Sequence, residues 1–267
     1  MTKKSVAIIQ TRFNSTRLPG KVLKTIGNKT VLEYVISQSL CATNLNNVII
    51  ATTTNPQDQI IVDFCKNHNI DYFCGSEFDV LDRYYQCAKK FNLDPIVRIT
   101  SDCPLIDPNV IDLIIDEFLK NHHDYVSNNM SFEGNNWIDS ECNFPQGMTV
   151  EISSFKALES AWKNAKKPSE REHVFPYVQF HPELFRVKNI KHPSDLSHIR
   201  CTIDREDDLS FLRKLVEYLP PTLQFITIND IVQVVEKHSA LLKINNHIPF
   251  DEGTKRSYEE DKKLGMT

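Results

Sequence analysis

The chain has 267 residues, 40% of them hydrophobic and 25% charged, and carries a formal net charge of −4 at pH 7. That length and balance suit one domain with a full core, with or without a small appendage; the weak negative charge argues against a general nucleic-acid binder, which would show a basic surplus or stripe. No run approaches the roughly 18 apolar residues of a membrane span, Lys3 and Lys4 precede no secretory apolar region, and the seven cysteines contain no Cys-x-x-Cys pair, so the expectation is a cytoplasmic protein without membrane contact, disulfide framework or zinc.

The apolar run at residues 6–10 reads as a buried first strand. Directly after it comes Arg12-Phe13-Asn14-Ser15-Thr16-Arg17-Leu18-Pro19-Gly20-Lys21, three cations among small hydroxyl and amide residues. Ligands of open parallel sheets bind beyond the carboxyl ends of the strands, where loop amides and helix N-termini face one crevice, so this loop is suited to phosphates. It is not a Walker A element, because no glycine stands at the required distance before Gly20-Lys21 and no Ser or Thr follows Lys21; a dinucleotide fingerprint is absent as well. A solvated charged loop is the plainer alternative.

Residues 30–40 and 109–119 place Val31, Leu32, Val35, Ile36 and Leu40, and Val110, Leu113, Ile114 and Phe118, on single helical faces. Short apolar runs at 48–52, 71–74, 96–100 and 124–127 read as strands. Strands alternating with such helices predict βαβ units in a layered, mostly parallel α/β sheet with right-handed connections. Between Met130 and Gly147 the alternation falters, and the segment reads as a long loop or lid with a role over a substrate or at a subunit contact. Beyond it, strands at 149–152, 185–190 and 200–203 and helices at 154–166, 170–179, 207–218 and 229–242 are expected. Residues 1–244 therefore read as one domain, with about 130–180 as its lid, acceptor or dimer-contact region. The polar tail 245–267 has little to bury, so disorder or wrapping of a neighbour is expected of it.

Two carboxylates stand at strand ends. Asp102, in Arg98-Ile99-Thr100-Ser101-Asp102-Cys103-Pro104, lies at the same sheet edge as the basic loop, and a hard oxygen ligand beside phosphates suits Mg²⁺, which takes one or two carboxylates plus phosphate oxygens and water. Asp204 ends Arg200-Cys201-Thr202-Ile203-Asp204. Read alone, each serves as well as a turn residue or helix cap. Ala51, Thr52 and Thr53 offer backbone groups and hydroxyls near the crevice, or simply a polar turn, and Gly75 and Arg83 flank the helix opening at Asp79.

These segments resemble the CMP-sugar synthetase (cytidylyltransferase) superfamily. The likeness is nearest to spore-coat-polysaccharide-type cytidylyltransferases and more distant to the 3-deoxy-manno-octulosonate and acylneuraminate enzymes; the Ser15-Thr16-Arg17-Leu18-Pro19-Gly20-Lys21 signature is its most specific part. The resemblance implies a Rossmann-like nucleotide-diphospho-sugar transferase fold with an irregular central insertion. It further implies a CTP-dependent, Mg²⁺-assisted enzyme, commonly a homodimer, acting on an anionic sugar or phosphate acceptor in surface polysaccharide or glycan synthesis. Carried onto this chain, Arg12, Lys21 and Asp102 are the expected catalytic residues, and Asp102 with Asp204 the metal ligands. Arg12, Asn14, Ser15, Thr16, Arg17, Lys21, Ala51, Thr52, Thr53, Gly75 and Arg83 would bind nucleotide. Phe144-Pro145-Gln146-Gly147-Met148-Thr149-Val150-Glu151 and Glu170-Arg171-Glu172-His173 resemble two further family segments, placing Gln146, Glu151, Arg171 and His173 at the acceptor; Gln146 and Thr149 stand where the family carries acidic residues. A glycosyltransferase using a nucleotide sugar, and a nucleotide-binding subunit without turnover, are the alternatives.

Overall fold

The computed structural model describes residues 5–129, 132–133, 136–137 and 143–266. Its centre is a seven-stranded sheet of β1 (Ser5–Gln10), β2 (Leu45–Thr53), β3 (Asp71–Gly75), β4 (Ile96–Thr100), β5 (Tyr125–Ser127), β6 (Glu151–Ser153) and β7 (Val187–Asn189). The spatial order is β7-β5-β6-β4-β1-β2-β3. Every pairing is parallel except those of β6, which runs antiparallel to β4 and β5. The expected mostly parallel α/β sheet is therefore present, and its carboxyl edge gathers the loops that follow β1 and β4.

Strand side chains alternate between two faces. Ala7, Ile9, Val97 and Ile99 pack into a core with helices α1 (Val31–Ser39), α2 (Gln59–Asn67) and α4 (Pro108–Asn121). Ile8, Ile49, Ala51 and Ile96 face the other core, under α3 (Val80–Lys90), α5 (Phe155–Asn164) and, past the short helix α6 (Pro168–His173), α7 (Pro176–Phe180). The first core is extended by α8 (Glu206–Glu217) and α9 (Ile228–Lys237). Ile111, Ile114 and Ile115 of α4 are wholly buried, each worth about 1.5–3 kcal/mol relative to exposure. Local chemistry sets the helix starts. Thr30 and Glu33 form a reciprocal capping box on α1, and Asp107 caps α4 ahead of Pro108 while its second oxygen accepts the Ile228 N–H at 2.8 Å, tying α4 to α9.

The elements depart from the sequence reading in four places. Residues 170–179 are two helices, because Pro176 cannot continue α6 and Val174 takes φ 75°. Residues 200–203 are not a strand of the sheet: Arg200 makes an isolated bridge with Gln146, and Ile203 donates to the Asp102 carbonyl at 2.9 Å. Residues 239–244 leave α9 as a separate 3₁₀ turn. The tail is ordered structure: Asn245 is 1% exposed, and α10 (Glu252–Lys263) packs on α6. Much of the lid expected at Met130–Gly147 lies outside the described residues; 132–133 and 136–137 pair as a short antiparallel hairpin. No helix among the described residues is long and apolar enough to cross a membrane.

Candidate active site

The loop after β1 is folded by its own backbone and braced from below. The Phe13 carbonyl accepts from the N–H groups of Ser15 (3.1 Å) and Gly20 (3.0 Å). Gly20 has φ +67°, and a Cβ there would sit 3.1 Å from the Phe13 ring, so this position requires glycine. Phe13 N–H donates to Asp58 Oδ1 at 2.7 Å, while Thr53 donates its hydroxyl to Asp58 Oδ2, and Thr11 N–H reaches the Ala51 carbonyl at 3.1 Å. Ala51, Thr52 and Thr53, expected to face the nucleotide, are at most 2% exposed and lie off the cleft wall; Ala51 and Thr53 support the loop from behind instead, while the buried Thr52 hydroxyl has no partner. Asn14 is exposed and Gly75 ends β3, both outside the lining; Arg12, Ser15, Thr16, Arg17 and Lys21 line the cleft.

Asp102, after β4, and Asp204, after the segment 200–203, meet around one cation. Lys21 Nζ lies 2.9 Å from Asp102 Oδ2 and 3.3 Å from Asp204 Oδ1, and donates to the Ile203 carbonyl at 2.6 Å. Burial alone would lower the Lys21 ammonium's pKa, but Asp102 and Asp204 outweigh it and raise it above its ordinary value. For Asp102 burial pushes upward, and the Lys21 charge with hydrogen bonds from Thr100 and Lys21 prevails, holding it below the usual carboxylate range. Asp204 also accepts from Arg17 Nη2 at 2.6 Å and Arg200 Nη2 at 3.0 Å. Because both aspartates already share a single cation, they fit a divalent ion as a two-carboxylate site open to phosphate and water. Among the described residues no cluster of three or more His, Cys, Asp or Glu forms a closed cage.

Several side chains here carry roles that no local motif announced. Arg200 is 4% exposed and donates to the wholly buried Asp208 (2.8 Å), to Gln146 Oε1 (2.8 Å) and to Asp204. Asp208 also accepts the N–H groups of Asp204 (2.9 Å) and Arg205 (3.0 Å). Gln146 lines the cleft, yet its amide is committed to Arg200 and the Ser197 carbonyl, which makes it a brace. Glu151 leaves the acceptor set altogether: it is 5% exposed, paired with Arg98, accepts from Tyr125 at 2.6 Å and lies off the lining. Arg171 likewise is taken, its Nε 3.0 Å from Asp79 Oδ2 and its Nη1 2.8 Å from the Trp162 carbonyl. His173 lines the cleft, with Nε2 at 3.1 Å from Ser257 Oγ, and burial, assisted by Arg98, lowers it to about 4, so its ring is neutral at pH 7.

Arg83 differs from these paired cations. It is 2% exposed and lines the cleft; its Nη1 donates to the Ser76 carbonyl at 2.7 Å, and its buried Nε has no partner. Burial, with Arg12 adding like charge, lowers its pKa. A buried guanidinium without a carboxylate is costly unless an anion completes it. Phe78, 87% exposed, lines the same cleft with an unpacked ring. The cleft encloses about 890 Å³, near the upper end of ordinary ligand sites, with the cationic loop, the carboxylate pair and α10 all in its lining.

The description Cytidylyltransferase matches residues 6–260 of this chain. The chain belongs to the cytidylyltransferase family. It is 36% identical over 259 residues to the protein MJ1063 of Methanocaldococcus jannaschii, covering 96% of this chain and 98% of that one. It is 30% identical to the spore coat polysaccharide biosynthesis protein SpsF of Bacillus subtilis, over 79% of this chain and 85% of SpsF. A 3-deoxy-manno-octulosonate cytidylyltransferase of Solibacter usitatus is 37% identical over 43% of this chain and 45% of its own length. Among solved structures, a cytidylyltransferase from Leptospira borgpetersenii superposes with TM-score 0.80 at 31% identity, over 90% of this chain and 96% of that one. CMP:2-keto-3-deoxy-manno-octonic acid synthetase complexed with CTP shares the fold at TM-score 0.60 and 16% identity, over 80% and 98%. The resemblance read from the sequence thus holds, and so does its enzyme class: this cytidylyltransferase has a Rossmann-like nucleotidyltransferase fold.

Proposed function

We propose that this cytidylyltransferase is a Mg²⁺-assisted enzyme that transfers CMP from CTP to an anionic sugar or phosphate acceptor with release of pyrophosphate. The observation that carries the reading is the convergence of Lys21 with Asp102 and Asp204 beside the Arg12–Lys21 loop. Arg12, Ser15, Thr16, Arg17 and Arg83, whose Nε is unpaired, form the triphosphate-binding side, where the three guanidinium charges favour the departing pyrophosphate. Asp102 and Asp204 would hold the Mg²⁺, which when bound supplies positive charge against the α-phosphate oxygens. Lys21 orients Asp102 and Asp204 and adds its own charge at that phosphate, and Arg200 with Asp208 keeps Asp204 in place. An acceptor oxygen bonds to the α-phosphorus as its bond to the bridging oxygen breaks; pyrophosphate leaves with that electron pair and the hydroxyl proton passes to water. Catalysis here is positioning and charge neutralisation, with no covalent enzyme intermediate.

The name of SpsF supports a role in surface polysaccharide or glycan synthesis, and the same reading expects a cytoplasmic homodimer. The test is thermal stabilisation by CTP, UTP, ATP and GTP with Mg²⁺, followed by pyrophosphate release with sugar acids and sugar phosphates. A shift selective for CTP, lost in Lys21→Ala and Asp102→Asn, is expected; a ligand at about 100 times its Kd adds ~2.7 kcal/mol. Preference for another triphosphate overturns the nucleotide assignment.

A further inference from the structure

Helix α10 stands over the cleft without the composition of a core helix. A helix that serves a core presents an apolar stripe, whereas α10 reads EGTKRSYEEDKK and its buried residue is the carboxylate of Asp261. Polar bonds pin it there, together with an edge contact between the Tyr258 and Phe180 rings, 6.0 Å between centroids. Asp261 accepts from the Ser169 N–H at 3.2 Å and from the Ser169 hydroxyl, Glu252 meets Arg205 at 2.8 Å, and Ser257 Oγ meets His173 Nε2 at 3.1 Å. The face so held lines the cleft with Asp251, Glu252, Thr254, Arg256, Ser257 and Glu260.

The charges on that face select a chemistry. Arg17, Lys21, Arg98, Arg171 and Arg200 each hold a carboxylate. Arg256 has Glu260 at 3.9 Å, beyond hydrogen-bond distance, and its side chain is 66% exposed. The carboxylates around it accept hydroxyl hydrogens and repel a polyanion, so the face matches a polyhydroxylated molecule bearing one anionic group. We propose that α10 is the acceptor wall of this site. Arg256 takes the acceptor's carboxylate or phosphate, and the Ser257–His173 pair takes one of its hydroxyls. This assignment rests on the cytidylyl-transfer reading above and adds the C-terminal helix to the substrate-recognising part of the chain.

The probes are inorganic phosphate and acetate, titrated separately into the full chain saturated with CTP and Mg²⁺, with binding followed by calorimetry. Saturable binding is expected, weakened about tenfold in Arg256→Ala, as befits loss of a charge-assisted pair, and strengthened in Glu260→Gln, where the competing carboxylate is gone. Unchanged melting of both variants separates this from a structural effect. Phosphate binding without acetate binding, or the reverse, tells a phosphorylated acceptor from a carboxylated one. Equal affinity of wild type and Arg256→Ala, or no saturable binding of either probe, overturns the proposal. Should CTP fail to bind, the nucleotide reading fails on its own, and the same titrations on the nucleotide-free protein still decide the role of Arg256.

Discussion

Asp208 holds Arg200 through a 2.8 Å bond in which the carboxylate is wholly buried and the guanidinium 5% exposed, and Arg200 in turn carries Asp204. The pair is a support for the candidate metal carboxylate. Asp208→Ala takes the buried carboxylate from Arg200 and leaves the Asp204 and Arg205 N–H groups without their acceptor, so a loss of about 3–5 kcal/mol is expected in urea denaturation. Turnover should fall even at temperatures where the variant is folded, because Asp204 loses its backbone anchor and the guanidinium that holds it loses its own support.

Lys21 separates two carboxylates that would otherwise repel. In Lys21→Met turnover is expected to fall by roughly 10²–10³. The freed aspartates should attract divalent cations more strongly, so Mg²⁺ alone should raise the melting temperature of Lys21→Met more than that of wild type. Equal Mg²⁺ shifts in the two proteins would remove the case for a shared site on Asp102 and Asp204.

Asp58 joins the Thr53 hydroxyl to the Phe13 N–H. Asp58→Ala leaves a buried hydroxyl and an N–H unpaired, a cost of about 1–3 kcal/mol per group. Because the lost bond anchors the cationic loop, the KM for CTP is expected to rise more than the KM for acceptor, which steady-state kinetics with each substrate varied would show.

His173 gives the protein a pH dependence of known sign. Its folded value of about 4 lies below the ordinary 6.5, so between these values the unfolded chain binds a proton that the folded chain does not. Stability is whole above about pH 6.5 and declines as pH falls toward 4, by up to about 3 kcal/mol from this group. Denaturation across that range should show a steeper decline for wild type than for His173→Gln.

The centre of the sheet was readable because β1 and β4 are apolar runs buried on both faces, and α1 and α4 because their apolar residues recur at helical spacing. The break at Pro176 was visible in principle, because proline cannot continue a helix. Roles decided by distant partners were not legible. Glu151 is 53 residues from Arg98, and Arg171 is 92 from Asp79, so nothing near either residue distinguishes a brace from a ligand. Thr52 and Thr53 resembled a nucleotide-facing turn because sequence shows that a hydroxyl is at a strand end, not which side of the sheet edge it occupies. The tail escaped because helix α10 is held by separate polar bonds and a ring contact, Tyr258 on Phe180, which leave no periodic trace.

That manner of attachment keeps stability and cleft shape in separate stretches of chain. Of the 12 residues of α10, Tyr258 supplies a ring contact, to Phe180, so exchanging the helix's outward and cleft-facing side chains leaves both cores intact, provided Tyr258 and Asp261 keep their places. Descendants of this fold can therefore revise one wall of the cleft by drift in a short terminal segment, while the loop and aspartates that handle phosphate stay as they are.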